Sequence, residues 1–309
     1  MSEAVIQIEN LKKTYRSGLR RTEVVAIKNL SLTVKQGTIV AFVGPNGAGK
    51  TTTIHSMLGF LKTDAGSIRL FGKPAGSTTL RHRIGYQCEI FYTYPFYTAK
   101  QALRYYGRLS RMTQGALAVA IPKQLERLGL EDAANRKASG FSKGMMQRLG
   151  LAQALLHQPE LLILDEPASG LDPVGRKVVL DIIREEKARG RTVFLSSHIL
   201  ADVERICDEV IMIRQGEVVF SEQLGSFGTH AEDWEIEVSG FNDGIREQLG
   251  AQAQILSVNS DTAILLCSSS GKRELLKTLL ALPVEIGTVQ RRRAASLEDT
   301  FMKYVGKSE

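Results

Sequence analysis

At 309 residues and 43% hydrophobic content, the chain is too long for one ordinary domain and too apolar for a disordered one, so a large core with a smaller appended unit is expected. Forty Lys and Arg against 33 Asp and Glu give a net charge of +7, which favours an anionic ligand, an anionic membrane surface or nucleic acid without choosing among them. Cys88, Cys207 and Cys267 stand far apart with no C-x-x-C pair, which argues against a disulfide framework or a zinc site, fits a reducing compartment and leaves them as buried small hydrophobes.

In chain order, residues 5–8, 30–34 and 38–43 are predicted strands from their β-branched content and alternation, the last running into a glycine-rich turn. From 98 to about 157 the pattern turns helical, with Leu103, Tyr106, Leu109, Leu125 and Leu128 at helix-like spacings, and reads as a helical insertion. Strand signals return at 161–164 and 192–195 around a predicted helix at 175–188, the rhythm of a parallel sheet. Gly, Ser and Thr at 225–230 mark a linker. Beyond it come predicted strands at 234–238, 254–258 and 263–267, a helix at 272–280, a strand at 285–290 and a helix at 297–305. The fold class is therefore α/β: a mostly parallel core with a helical subdomain over 1–224, then a small α+β domain over 225–309. No apolar run approaches the roughly 20 residues of a membrane-spanning helix, and the start, MSEAVIQIEN, lacks the features of a secretion signal, so a cytoplasmic location is expected.

Gly44-Pro45-Asn46-Gly47-Ala48-Gly49-Lys50-Thr51 fits the phosphate-binding loop pattern and lies between a predicted strand and a helix starting near Thr51. Its glycines let successive backbone N–H groups converge, and the helix N-terminus adds positive dipole, so triphosphate oxygens are cradled there. Lys50 reaches the β- and γ-phosphates, the Thr51 hydroxyl ligates Mg²⁺, and Thr52 follows it in the site. A glycine-rich turn with an incidental lysine is the bland reading, and the strand and helix context disfavours it. Leu161-Leu162-Ile163-Leu164-Asp165-Glu166 is an apolar strand delivering two acids to the carboxyl edge of the sheet, where ligands of open α/β folds bind. Asp165 suits Mg²⁺, and Glu166 suits orienting or deprotonating an attacking water. Taken alone, the run is equally a strand end with solvated acids before Pro167; the phosphate loop upstream decides for the site.

Together these motifs define a P-loop ATPase, and Phe141-Ser142-Lys143-Gly144-Met145-Met146-Gln147-Arg148 resembles the signature motif of ABC ATPases. Ser169-Gly170-Leu171-Asp172 resembles the D-loop of that family, His198 its switch histidine, and Tyr15 stands where its aromatic residue stacks on adenine. The resemblance covers residues 4 to about 224. It implies an ABC-type helical subdomain and a head-to-tail dimer with a second copy. Each ATP would lie between the phosphate loop of one chain and Ser142, Lys143, Gly144 and Asp172 of the other. Closure would drive a separate integral membrane permease from the cytoplasmic face, with no nucleic-acid partner expected. Independently, a helix start at Ser142 with Gly144 is an anion-binding end lacking an anion in its own chain. The bland readings are a capped helix for 141–147, a strand-end polar residue for His198, and core or interface packing for Tyr15.

The sequence departs from the family pattern in two places. Phe141, Lys143 and Met145 replace residues of the Leu-Ser-Gly-Gly-Gln signature, and with Gln147-Arg148-Leu149-Gly150 this form resembles the ABC-2 branch, largely export machinery. Aligning Ile84-Gly85-Tyr86 and Tyr94-Pro95 puts Glu89 where the Q-loop glutamine contacts Mg²⁺ and couples to the membrane subunit, while Gln87 lies two residues earlier. A carboxylate there still holds a metal-bound water, and Glu89 is expected to keep the sensing role. Phe91, Tyr92, Tyr94, Phe96 and Tyr97 suit a docking surface for the membrane partner and packing for the helical insertion equally. Two basic stretches, Lys12, Lys13, Arg16, Arg20 and Arg21, and Arg291, Arg292 and Arg293, suit lipid headgroups or the membrane partner less well than they suit solvated loops. Ser296-Leu297-Glu298-Asp299 with Phe301 resembles the tail of ABC-2 ATPases, which suggests a regulatory or dimer-supporting unit. The rivals are a soluble ABC ATPase acting on nucleic acid or ribosomes, and a module that holds ATP without turning it over. A single cassette without sustained heptads argues against the first, and intact Lys50, Asp165, Glu166 and His198 against the second.

Overall fold

The computed structural model describes residues 3–17, 22–224, 233–291 and 296–304; Arg20, Arg21, Arg292, Arg293, Val305 and the predicted linker at 225–230 lie outside them. The chain forms two compact units, one of Met1–Leu224 with Phe301–Glu309, the other of Gly225–Thr300.

The first unit opens with β1 (Ala4–Ser17) and β2 (Thr22–Lys35), paired antiparallel and much longer than the apolar stretches that betray them. The outer half of β1 is rich in Lys, Arg and Thr, and that of β2 carries the short run Val24-Val25-Ala26-Ile27 that pairs with it. Then follow β3 (Ile39–Val43), α1 (Lys50–Met57), β4 (Ala65–Leu70), β5 (Lys73–Pro74) and β6 (Ile84–Gln87). The helical segment holds α2 (Ala99–Leu109), α3 (Gln114–Arg127) and α4 (Lys143–Leu155). Next come β7 (Leu161–Leu164), α5 (Pro173–Ala188), β8 (Thr192–Ser197), α6 (Leu200–Ile206), β9 (Glu209–Arg214) and β10 (Glu217–Gln223).

The strands lie in the order β5-β4-β1-β2-β10-β9-β3-β8-β7-β6. From β9 to β6 every neighbour is parallel, and this half carries the phosphate loop and the acids; from β5 to β2 the pairing is antiparallel. Burial explains the division. Every residue of β3, β7 and β8 is buried, as parallel strands covered on both faces must be, whereas in β1 Ile6 and Ile8 are buried while Glu9 faces water. Phe42 of β3 and Phe194 of β8 meet at 5.4 Å between ring centroids, and burying each such ring contributes about 2–3 kcal/mol.

Local capping sets the helix starts. Thr98 and Gln101 form a reciprocal capping box at α2, Thr113 accepts from the Ala116 N–H at α3, and Ser142 accepts from the Met145 N–H at α4. Helix α4 lies directly on β6: a Cβ at Gly85 would stand 2.3 Å from the Ala154 carbonyl oxygen, and one at Gly150 would stand 2.8 Å from Phe91. No side chain fits at Gly85 without moving backbone.

In the second unit, β11 (Asp233–Ser239), β12 (Gln254–Asn259), β13 (Thr262–Ser268) and β14 (Glu285–Arg291) form an antiparallel sheet in the order β12-β13-β11-β14. Helix α7 (Asp243–Leu249) and α8 (Lys272–Leu280) accompany it, with Ile236, Leu265, Ile245, Leu275 and Leu279 in one core. The sequence reading lacks α7, because seven residues with two buried positions, Ile245 and Leu249, are too short to show a period. Among the described residues the last helix is α9 (Leu297–Tyr304). Among the described residues no helix is long and apolar enough to cross a membrane.

One buried charge fastens the end of α3 to α5. The fully buried Glu186 accepts from Arg127 Nη2 at 2.6 Å, from Arg189 Nη1 at 2.7 Å and from Arg191. Removing one partner of such a cluster strands the others in low dielectric. Glu186→Ala is therefore expected to lower the unfolding free energy by about 3 kcal/mol, read from the denaturant midpoint by circular dichroism; a loss below about 1 kcal/mol would contradict this account.

Candidate nucleotide site

The turn after β3 is shaped by what cannot fit. A Cβ on Gly44 would lie 2.3 Å from the Ile213 carbonyl oxygen, and one on Gly49, at φ +109°, would lie 2.6 Å from that of Ala26. Only glycine brings the backbone so close at both points. Ala48, expected to line the site, is instead packed in the core at 3% exposure, its N–H donating to the Pro45 carbonyl at 3.2 Å and its carbonyl accepting from the Gly216 N–H at 3.0 Å. Lys50 Nζ donates to the Gly44 carbonyl at 2.6 Å and the Pro45 carbonyl at 3.3 Å, which holds the ammonium over the loop.

Across from it, β7 delivers its two acids nearly dry, Asp165 at 2% and Glu166 at 8% exposure. Asp165 Oδ2 accepts from Thr51 Oγ1 at 3.1 Å and Oδ1 accepts from Ser196 Oγ at 2.6 Å. That same Ser196 hydroxyl accepts from the Glu166 N–H at 2.9 Å. Glu166 takes φ +49°, a left-handed conformation costing about 1–3 kcal/mol in a non-glycine residue, and its Oε2 lies 2.7 Å from His198 Nδ1. Sequence reasoning missed Ser196. Its only trace is a hydroxyl at the end of an otherwise apolar strand.

Between the two Q-loop candidates the surroundings differ sharply. Gln87 is buried at the end of β6 and donates from Nε2 to the Gln147 carbonyl at 3.1 Å, while Gln147 Nε2 in turn reaches the Glu166 carbonyl at 3.3 Å. Glu89 is exposed and lines the same cavity as the phosphate loop. Cys88 between them is half-buried, unlike the fully buried Cys207 and Cys267, so the expectation of three buried cysteines needs correcting here. Burial, helped less by the Asp165 charge, raises its thiol above the ordinary range.

One cavity of about 710 Å³ gathers most of the predicted residues: Gly44, Pro45, Asn46, Gly47, Gly49, Lys50, Thr51, Thr52, Glu89, Asp165, Glu166, His198 and Tyr15. Another of about 360 Å³, around Met57, Phe60 and Leu80, holds none of them. Ser142, Lys143, Gly144 and Asp172 do not line the nucleotide cavity. They gather with one another instead. Asp172 caps α5 through the Gly175 N–H at 3.1 Å, Gly144 approaches Leu171, and the Lys143 side chain lies over Gly170. The aromatic cluster also divides, since Phe91 is buried against Gly150 while Tyr92, Tyr94 and Phe96 are 76%, 46% and 60% exposed. Among the described residues no three His, Cys, Asp or Glu side chains form a metal cluster. Thr51 Oγ1 and Asp165 nevertheless supply the hard oxygens that Mg²⁺ takes from a protein when phosphates and waters complete its shell.

Residues 27–169 match the family model for the ABC transporter. The chain is 36% identical to the ABC transporter ATP-binding protein YxlF of Bacillus subtilis, over 97% of this chain and 99% of that one. It belongs to the ABC transporter ATP-binding family. This ABC ATPase is also 33% identical, over 99% of each chain, to a Nod factor export ATP-binding protein of Burkholderia orbicola. Among solved structures it resembles an ATP-binding subunit of an ABC transporter (30% identity, TM-score 0.65, 72% of this chain and 92% of that one). It also resembles a cassette solved as a dimer in a post-hydrolysis state with ADP and phosphate (25% identity, TM-score 0.66, 71% and 98%). The chain is thus an ATP-binding ATPase subunit of a transporter, on a P-loop NTPase fold.

Ser196→Ala in this ABC ATPase leaves Asp165 Oδ1 and the buried Glu166 N–H without their shared partner. The expected outcome is a loss of about 2 kcal/mol in unfolding free energy together with slower ATP turnover; unaltered stability and turnover would show that the hydroxyl does not hold the acids.

Proposed function

We propose that this subunit binds MgATP in the 710 Å³ cavity, hydrolyses it at Glu166 and, as a dimer with a second copy, drives a separate integral membrane subunit from the cytoplasmic face, in the direction of export. The observation that carries the reading is the convergence on one cavity of the phosphate loop, two desolvated carboxylates and a histidine within hydrogen-bond reach of the second.

In this reading the loop N–H groups and Lys50 hold the β- and γ-phosphates, and Thr51 and Asp165 hold Mg²⁺. When bound, the metal supplies charge neutralisation at the phosphate oxygens. Glu166 accepts a proton from the attacking water or orients it, and His198, hydrogen-bonded to Oε2, fixes the carboxylate for that role. Tyr15 stacks on the adenine, and Glu89 senses the γ-phosphate region. The grouping of Ser142, Lys143, Gly144 and Asp172 away from the cavity supports a dimer in which they meet the nucleotide of the other copy. The dimeric solved cassette and the export ATP-binding relatives support the same picture. Tyr92, Tyr94 and Phe96 present the exposed aromatic surface that a membrane subunit would use.

Glu166→Gln is expected to reduce ATP turnover at least about 100-fold while keeping nucleotide affinity, and to convert the purified protein to dimers in MgATP but not in ATP with EDTA, followed by size-exclusion chromatography with light scattering. Wild-type turnover in that variant would refute the assigned base; a monomer under every condition would refute the dimer. Glu89→Ala is expected to lower the stimulation of ATPase activity by the membrane subunit. Unchanged stimulation in a reconstituted complex would remove Glu89 from the coupling path.

A further inference from the structure

Four residues lining the nucleotide cavity belong to none of the nucleotide-binding motifs: Val24, Val25 and Ala26 of β2, and Phe301 of α9. With Tyr15 they make an apolar end to a cavity whose opposite end carries Lys50, Asp165, Glu166 and His198. Tyr15 is paired with Val24 across β1 and β2, and its Oη lies 3.4 Å from Thr52 Oγ1, which sets the ring beside the start of α1. Val24 and Val25 are 57% and 49% exposed, an unusual pair of uncovered apolar side chains next to a phosphate loop.

Phe301, which belongs to the first unit, is placed there by its own helix. Three residues on, and so on the same helical face, Tyr304 stacks on Phe220 of β10 at 5.3 Å, and its carbonyl accepts from Arg214 Nη1 of β9 at 3.4 Å. The seat on β9 and β10 fixes which way Phe301 faces. A nucleotide whose phosphates sit at the loop extends its base toward this apolar end, and about 710 Å³ is ample for a ligand of that size.

We propose that Phe301 completes, with Tyr15, a two-sided aromatic slot for the nucleobase, so that the nucleotide is gripped by the C-terminal helix as well as by the phosphate loop. The proposal rests on the nucleotide reading of the cavity given above. Tyr15 Oη is the only side-chain hydrogen-bonding group among Tyr15, Val24, Val25, Ala26 and Phe301, so the base is held by stacking and burial. Stacking tolerates any base, and the slot therefore accepts ATP and GTP without reading the exocyclic groups of the base.

The test compares the full-length wild type with Phe301→Ala, Phe301→Leu and Phe301→Tyr by isothermal titration calorimetry, using ATP and GTP with Mg²⁺ and, as a ligand with no base, inorganic tripolyphosphate. Phe301→Ala is expected to weaken ATP and GTP about tenfold and tripolyphosphate less than twofold, with Phe301→Tyr close to wild type. Phe301→Leu keeps an apolar side chain of similar size, guards against a folding defect in the alanine variant, and is expected to lose at least about threefold for ATP. Unchanged ATP affinity in both Phe301→Ala and Phe301→Leu would overturn the slot and leave the ATPase reading standing. Equal weakening for ATP and tripolyphosphate would overturn it too, since Phe301 would then act through the loop. A wild type that binds neither ligand would overturn the nucleotide reading and the slot with it.

Discussion

Two acids in succession at the end of a dry strand repel one another and resist losing water, and both costs fall with the number of hydrogen bonds that each carboxylate or its backbone receives. Here the Ser196 hydroxyl serves both residues, donating to Asp165 and accepting from the Glu166 N–H. Thr51 takes the other oxygen of Asp165, and His198 lies against Glu166. The parallel register of β7 with β8, Leu164 opposite Leu195, brings Ser196 level with the acids. The sheet therefore acts as a ruler, and the positive φ of Glu166 is tolerated because partners on α4, on β8 and in the loop after β8 hold it there.

What was legible in the sequence was whatever a contiguous stretch can encode. The phosphate loop announces itself through glycines that have no alternative, and β7 through an unbroken apolar run. The antiparallel half of the sheet was largely silent, since the outer part of β1 pairs through backbone and carries polar side chains while the run Val24-Val25-Ala26-Ile27 of β2 is too short to mark a strand of 14 residues. Ser196 was invisible for a different reason, because its importance lies in who its neighbours are, and β7 and β8 are separated by a whole helix. The choice between Gln87 and Glu89 was of the same kind. Spacing left both open, and burial separates them, one locked to Gln147 and the other facing the cavity.

The same distinction governs the two halves of the proposed site. Tyr15 of the antiparallel β1 apart, the motifs on the cavity belong to the parallel strands or to the loops leaving their carboxyl edge, where an open α/β fold places its ligand. The start of α4 and the turn before α5 form a second polar grouping on one surface, with Ser142 and Asp172 each spending its side chain as a helix cap. On the proposed reading this separation is what makes a second copy necessary, since one chain alone presents each half of the site to a different neighbour.

The contact between α4 and β6 carries a mechanical consequence. With Gly85 closed against the Ala154 carbonyl and Gly150 against Phe91, helix and strand mesh like gear teeth and cannot slide past each other without a backbone collision. On the proposed reading, a load placed on the aromatic surface following β6 meets α4 where Phe91 closes on Gly150, along the same helix that Ser142 caps.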